Sequence, residues 1–262
     1  MKTERKYILP ISISSLPEET ENAILLGKVS GTVSSAYINS DSLVKHAFIV
    51  GASGTGKSEA AMTISEECLK KGVAVVVFDT SGNWKKRAKT PHDVVKVSYS
   101  DLNVSMLNKI NAGKMTIFDL SDLAENDYNE FAKNSLGQMV CKNWETIDKL
   151  KILLVFEDAY RLSPRFGGKA AIMLEKACRE FRKFGIGIVL ITHSYSDFGP
   201  AVLGNVNTEI WFKTSHEQDL ERIRKRFGPE YASSLVKLRI GECMIASIDY
   251  NYSKPWFVKI FK

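Results

Sequence analysis

Gly51-Ala52-Ser53-Gly54-Thr55-Gly56-Lys57-Ser58 combines a glycine-rich bend with a lysine and a hydroxyl at its end. That order of residue types suits a nucleoside triphosphate. Glycines let the backbone curl until successive N–H groups point inward at phosphate oxygens. A helix opening near Lys57 adds the positive end of its dipole. Lys57 is expected to reach the β- and γ-phosphates of ATP, and Ser58 to hold Mg²⁺ through its hydroxyl. Gly51, Ser53, Gly54, Thr55, Gly56, Lys57 and Ser58 are therefore the candidate nucleotide-binding residues.

Phosphate transfer to water also needs acids. Ile152-Leu153-Leu154-Val155-Phe156-Glu157-Asp158 runs an apolar strand straight into two of them. Glu157 is the candidate for the Mg²⁺ shell and Asp158 for orienting the attacking water. Asp79 and Asp119 also end apolar strands, and either becomes the metal carboxylate if the strand order differs from this reading. The next apolar strand, Gly187 to Thr192, is followed by His193. In RecA-like motors this position carries a polar side chain that senses the γ-phosphate, and an imidazole there can hydrogen-bond phosphate or water.

Cations form three groups. Lys176 to Phe184 ends a helix with Arg179 and Arg182, which either complement the helix dipole or act as an arginine finger on a neighbouring subunit's ATP. Glu221 to Arg226 is a second basic helix. Lys85-Lys86-Arg87-Ala88-Lys89 is the densest cluster, expected in a loop and a plausible DNA contact. Trp84 is its sole aromatic neighbour, too little for base stacking to dominate.

The elements that must position these residues alternate. Ala47 to Val50, Val73 to Phe78, Met115 to Leu120, Ile152 to Phe156 and Ile186 to Thr192 are short continuous apolar runs. Helical segments at Lys57 to Lys71, Asn126 to Trp144 and Gly168 to Phe184 lie between them. This order predicts an α/β fold with a mostly parallel central sheet flanked by helices. The tail from Gly241 reads as two antiparallel edge strands. Residues 1–35 read as an arm or a small strand-rich cap, with short strands at Tyr7 to Ile13 and Gly31 to Ile38, and residues 36–262 as the main domain.

The 262 residues are 44% hydrophobic and 25% charged, which excludes wholesale disorder, and their net charge of +6 permits a polyanionic partner without requiring one. No apolar run reaches the roughly 18–20 residues that span a bilayer, and the N-terminus lacks a signal-peptide core. The four cysteines show no C-x-x-C pairing and no ligand-spaced histidines, as expected of reduced thiols in a cytoplasmic protein.

Several blocks together resemble one family. Leu43 to Val50 leading into the phosphate loop, Phe78-Asp79-Thr80-Ser81-Gly82, Lys114 to Ser121, Glu157 to Leu162, Arg179 through Gly187 and Thr192 to Ile210, and Leu238 to Cys243 are similar to the HerA/FtsK superfamily of P-loop ATPases, closest to its HerA branch. The resemblance covers roughly residues 36 to 262. It implies a RecA-like fold, a homohexameric ring and ATP-driven movement of double-stranded DNA through its channel. Lys57 and Ser58 then fall on the phosphate-loop residues, Glu157 on the first acid, Asp158 on the family's catalytic Glu, and Arg182 or Arg179 in the finger region. Three departures stand out: Asp158 is one methylene shorter than Glu, His193 replaces the usual Gln, and Lys213 stands where Arg is common. The length suggests a minimal motor like those of archaeal viruses or plasmids, acting in the cytoplasm, of the host if viral, with a nuclease or a capsid or portal protein as partner. Alternatives are a genome-packaging ATPase using the same mechanism, or a nucleotide-switched DNA-binding or assembly protein with little hydrolysis. A small-molecule kinase would need a substrate lid that the sequence does not offer.

Overall fold

A strand that is apolar at every position must be covered on both faces. Val73 to Phe78 meets that demand in the computed structural model, which describes residues 8–261. All six residues of the strand there are buried. In chain order the strands are β1 (Ala23–Val29), β2 (Ser35–Asn39), β3 (Ala47–Val50), β4 (Ala74–Asp79), β5 (His92–Lys96), β6 (Met115–Asp119), β7 (Ile147–Phe156), β8 (Phe184–Thr192), β9 (Thr208–Phe212), β10 (Glu242–Ser247) and β11 (Trp256–Ile260). The helices are α1 (Ser40–Leu43), α2 (Lys57–Lys70), α3 (Trp84–Arg87), α4 (Glu125–Cys141), α5 (Lys169–Glu180), α6 (Pro200–Leu203), α7 (Glu217–Phe227) and α8 (Pro229–Lys237).

One 11-stranded sheet runs in the order β2-β1-β11-β10-β9-β3-β8-β7-β4-β6-β5. From β9 to β5 every pairing is parallel. From β9 to β2 every pairing is antiparallel. Alternate residues of each strand enter separate cores, as a period of two requires. Phe48, Val76 and Phe78 pack beneath α4, α5 and α8. Ile49, Val75 and Val77 pack beneath α2. The fold is the mostly parallel, helix-flanked RecA-like sheet with antiparallel C-terminal strands. Among the described residues no helix is long and apolar enough to cross a membrane.

The N-terminal segment differs from the expectation. The part of the Tyr7 to Ile13 strand that is described forms no strand; Ile13–Ser15 is a 3₁₀ turn, and Tyr7 lies outside the described residues. β2 covers only part of the second expected strand, Gly31 to Ile38, and the boundary after residue 35 falls inside it. β1 pairs with β11 and β2 with β1, so both extend the sheet that carries the phosphate loop. Gly27 shows how closely they join: a Cβ there would lie 1.9 Å from the Lys259 carbonyl oxygen. Gly27→Ala is expected to lower the unfolding free energy by about 1–3 kcal/mol through overpacking, measured by urea titration. A loosely appended arm would leave it unchanged.

Candidate functional site

β3 delivers the chain into the phosphate loop, and the antiparallel half of the sheet holds that loop from behind. Gly51 has φ +150°, and a Cβ on it would lie 2.7 Å from Phe212 Cβ at the end of β9. Ala52 N–H donates to the Lys213 carbonyl at 2.9 Å, and Gly241 N–H, just before β10, donates to the Thr55 carbonyl at 2.9 Å. Thr55 closes the bend by donating its hydroxyl to the Ala52 carbonyl at 2.7 Å. α2 then starts at Lys57, so its first amides face the bend.

Lys57, Ser58, Glu157, Asp158 and His193 meet here, around a cavity of about 490 Å³ also lined by Ser53, Gly54 and Gly56. They gather at the carboxyl ends of the parallel strands, Lys57 and Ser58 at the start of α2 and the others directly after β7 and β8, where open α/β sheets bind ligands. The acid-bearing β7 is not adjacent to β3; β8 lies between them and ends at Thr192, directly before His193. Lys57 is buried, and its Nζ donates to the carbonyls of Gly51 at 2.8 Å and Ala52 at 3.0 Å. His193 Nδ1 lies 3.4 Å from the same Nζ. Burial pushes the Lys57 amine below the ordinary lysine range, against the opposing pull of the Glu157 and Asp158 charges.

Glu157 is 8% exposed. Ser58 Oγ donates to its Oε1 at 2.7 Å, and the indole Nε1 of Trp84 donates to its Oε2 at 2.8 Å. Burial raises the Glu157 pKa; the two hydrogen bonds oppose that, and the nearby charges of Asp158 and Asp79 add to it. Asp158 turns the chain out of β7 with φ +47° and ψ +45°, a conformation Asp tolerates better than most residues. Thr80 Oγ1 donates to its Oδ2 at 3.0 Å, and His193 Nε2 is 3.8 Å from its Oδ1.

The two rival carboxylates have other work. Asp79 accepts from Ser81 N–H, Ser81 hydroxyl and Gly82 N–H on one oxygen and from Trp84 N–H on the other. It thereby shapes the turn that places Trp84. Asp119 pairs with Lys85 Nζ at 2.7 Å and accepts from the Ser121 hydroxyl. Burial would raise its pKa, but Lys85 and Ser121 outweigh that and hold it below the usual range.

The basic cluster Lys85 to Lys89, expected in a loop, begins instead on the short helix α3. Lys85 is paired with Asp119 and Arg87 with Glu59, so part of its charge is neutralised within the chain. Trp84 is buried against Glu157 and is closed to any base. The basic helix α7 is similarly committed: Arg224 pairs with Glu217 and Glu221, and Arg226 with buried Glu209.

Arg179 and Arg182 lie at the other end of the sheet. Arg179 closes α5, and Arg182 sits in the 3₁₀ turn that precedes β8. The nine residues of β8, at about 3.3 Å each, put Arg182 roughly 30 Å from His193. Both arginines line a cavity of about 500 Å³ with Lys45, Asn207 and His46. His46 is a residue the sequence reading passed over. It has φ +63°, accepts from Ile188 N–H on Nδ1 at 3.1 Å, and therefore donates from Nε2 to the Cys178 carbonyl at 2.9 Å. Burial lowers its pKa to about 4 and keeps it neutral. It ties the end of α5 to β8 and to the start of β3. Its only sequence signal was a histidine directly before an apolar strand.

The family described as "Helicase HerA, central domain" matches residues 24–164, more than half of the chain. The chain belongs to that family. It is 24% identical over 274 residues to the "DNA double-strand break repair helicase HerA" of Sulfolobus acidocaldarius, an alignment covering 97% of this chain and 49% of that protein. It is 33% identical over 115 residues to the "Probable DNA double-strand break repair helicase HerA" of Methanocaldococcus jannaschii, covering 42% of this chain and 22% of that one. This chain thus spans at most about half the length of these relatives. Among solved structures, VirB4 of Thermoanaerobacter pseudethanolicus superposes with a TM-score of 0.71 at 12% identity, covering 94% of this chain and 98% of that one. The genome packaging NTPase B204 from Sulfolobus turreted icosahedral virus 2, in complex with AMPPCP, superposes at 0.54 and 17% identity, covering 82% and 97%. At these identities the superpositions speak to the fold.

The sign of the Glu157 shift gives a test. Its pKa is raised on folding, so the folded chain holds that proton more tightly than the unfolded one. The resulting destabilisation is complete above the folded pKa and disappears once pH falls below the ordinary glutamate value near ~4.3. Glu157→Gln removes the charge, while its amide can still accept from Trp84 and donate to Ser58. It is expected to raise the melting temperature of the nucleotide-free protein at pH 8, by about 2–4 °C for each kcal/mol recovered, with the gain shrinking toward pH 4. Scanning calorimetry across pH measures this.

Proposed function

We propose that this chain is an ATP-hydrolysing motor that moves double-stranded DNA through a homohexameric ring of its own copies. The observation that carries the reading is the meeting of a phosphate loop, two adjacent carboxylates and a strand-tip imidazole around one cavity. The names of the HerA relatives support the DNA substrate.

The phosphate-loop amides and Lys57 Nζ bind the triphosphate, with Lys57 exchanging its two loop carbonyls for phosphate oxygens. The donor set suits Mg²⁺: Ser58 Oγ and Glu157 Oε1 are two hard oxygens already within 2.7 Å of each other. Among the described residues no group of three or more His, Cys, Asp or Glu gathers as a metal cage. Ser58 and Glu157 would hold the metal together with the nucleotide. When bound, Mg²⁺ supplies neutralising charge to the β- and γ-phosphate oxygens.

Asp158 accepts a hydrogen bond from the attacking water and orients it in line with the γ-phosphorus, while Thr80 fixes the carboxylate. His193 stands between Lys57 and Asp158, where it can hydrogen-bond either the γ-phosphate or that water. Arg182, or Arg179, serves the nucleotide of the next subunit, because its distance from its own site rules out contact there. Guanidinium charge at the transferring phosphoryl group stabilises the transition state.

ATP turnover with and without duplex DNA tests the reading. Lys57→Ala is expected to abolish nucleotide binding. Asp158→Asn is expected to retain binding and lose about 10²-fold or more in kcat. Absent wild-type turnover, or turnover that neither change affects, contradicts it.

A further inference from the structure

The segment that follows the acid pair presents cationic and aromatic side chains together. Ala159–Leu162 forms a 3₁₀ turn directly after Asp158, and Ser163 to Gly168 then leads into α5. This loop is firmly built. Phe166 N–H and Gly167 N–H both donate to the Ser163 carbonyl, at 3.1 and 2.7 Å. Asn129 of α4 donates its side-chain amide to the Phe166 carbonyl at 3.0 Å. Even so, Phe166 is 42% exposed, and the Arg165 guanidinium lies 5.2 Å over its ring. Arg165 is exposed and has no ion-paired carboxylate among the described residues. Lys169 follows at the start of α5. By contrast, Lys85 and Arg87, at the same end of the sheet, are paired with acids of the chain.

A chain of ring contacts leads from this loop to the site. Phe166 meets Tyr160 edge-on at 6.0 Å, and Tyr160 meets the His193 ring at 6.2 Å. His193 in turn stands 3.4 Å from Lys57 Nζ and 3.8 Å from the Asp158 carboxylate.

We propose that the Ser163 to Lys169 loop is a contact for the phosphate backbone of duplex DNA, gripped by Arg165, and that Phe166 and Tyr160 report its occupancy to His193. This deepens the motor reading and rests on it. An exposed guanidinium without a protein anion suits a phosphate diester, which it can bind bidentately without reading sequence. Engagement of Arg165 by a phosphate draws it from the Phe166 face. The freed ring changes its edge contact with Tyr160, and His193 moves relative to Lys57 and Asp158. Hydrolysis then depends on DNA through Arg165, Phe166 and Tyr160, which touch no nucleotide, acting on His193, which does.

The experiment measures binding of the full chain to a fluorescein-labelled duplex across a salt series, with a non-hydrolysable ATP analogue present. ATP turnover with and without duplex is followed on the same proteins in parallel samples that contain ATP and no analogue. Arg165→Ala is expected to weaken duplex binding about tenfold at low salt and to reduce the slope of log K against log salt by about one. Phe166→Leu is expected to bind duplex yet lose most of the DNA dependence of turnover. Lys114→Ala, before β6 at the opposite end of the sheet, is expected to leave the slope unchanged. Wild-type affinity and slope in Arg165→Ala, with wild-type duplex binding intact, overturn the loop assignment and leave the motor reading standing. Unaltered DNA dependence in Phe166→Leu overturns the ring relay. Poly-glutamate binding as tightly as duplex assigns the loop to an acidic protein surface and overturns the proposal. A wild-type protein that binds no duplex sinks the motor reading, and this proposal with it.

Discussion

A buried carboxylate is costly to keep unless hydrogen bonds surround it, and Glu157 is such a group. It is held between the hydroxyl of Ser58 and the indole of Trp84. Three elements must therefore agree on one point in space. β7 has to end there, α2 has to begin there with Ser58, and the turn after β4 has to swing Trp84 underneath. Asp79 enforces the last requirement by accepting the Trp84 backbone amide. Burial still raises the Glu157 pKa despite the Ser58 and Trp84 side-chain bonds, and a bound cation would favour its charged form.

The sheet divides its labour around this point. The parallel half brings β3, β8 and β7 side by side so that phosphate loop, imidazole and acids share one edge. The antiparallel half supplies no chemistry of its own, yet Phe212, Lys213 and Gly241 brace the phosphate loop from behind. His46 works from the opposite edge, linking α5, with its terminal arginine, to the strands that carry the phosphate loop and His193. The phosphate loop and the proposed finger arginines thus sit at opposite ends of the same strands, the layout that the proposed assembly of copies requires.

Much of this was legible in the residues, for a physical reason. Parallel strands buried on both faces must be apolar throughout, so β3, β4, β6, β7 and β8 announced themselves, and so did the helices between them. β9 did not, because Glu209 interrupts its apolar pattern. That carboxylate is accommodated by Tyr195, Trp211 and Arg226, partners no local pattern reveals. β1 was hidden by Gly27 within it and by pairing with β11 across most of the chain, whereas β2 was read in part, as the strand expected at Gly31 to Ile38. At the site, the phosphate loop and the acids were readable because their chemistry is local. Trp84 was not: its bond to Glu157 spans 73 residues, and from sequence it looked like an aromatic beside a basic cluster. Phe166 was missed for the converse reason, since only exposure distinguishes it from a core ring.

The most direct measurement of the central claim is a structure of the full chain with Mg²⁺, a non-hydrolysable ATP analogue and duplex DNA, obtained by electron microscopy. The account predicts Lys57 Nζ on the β- and γ-phosphates rather than on Gly51 and Ala52, the metal between Ser58 and Glu157, and Arg182 or Arg179 of one copy at the phosphates of the next. Nucleotide bound away from the phosphate loop, or a metal held by Asp79 or Asp119 while Glu157 keeps both present partners, would contradict it.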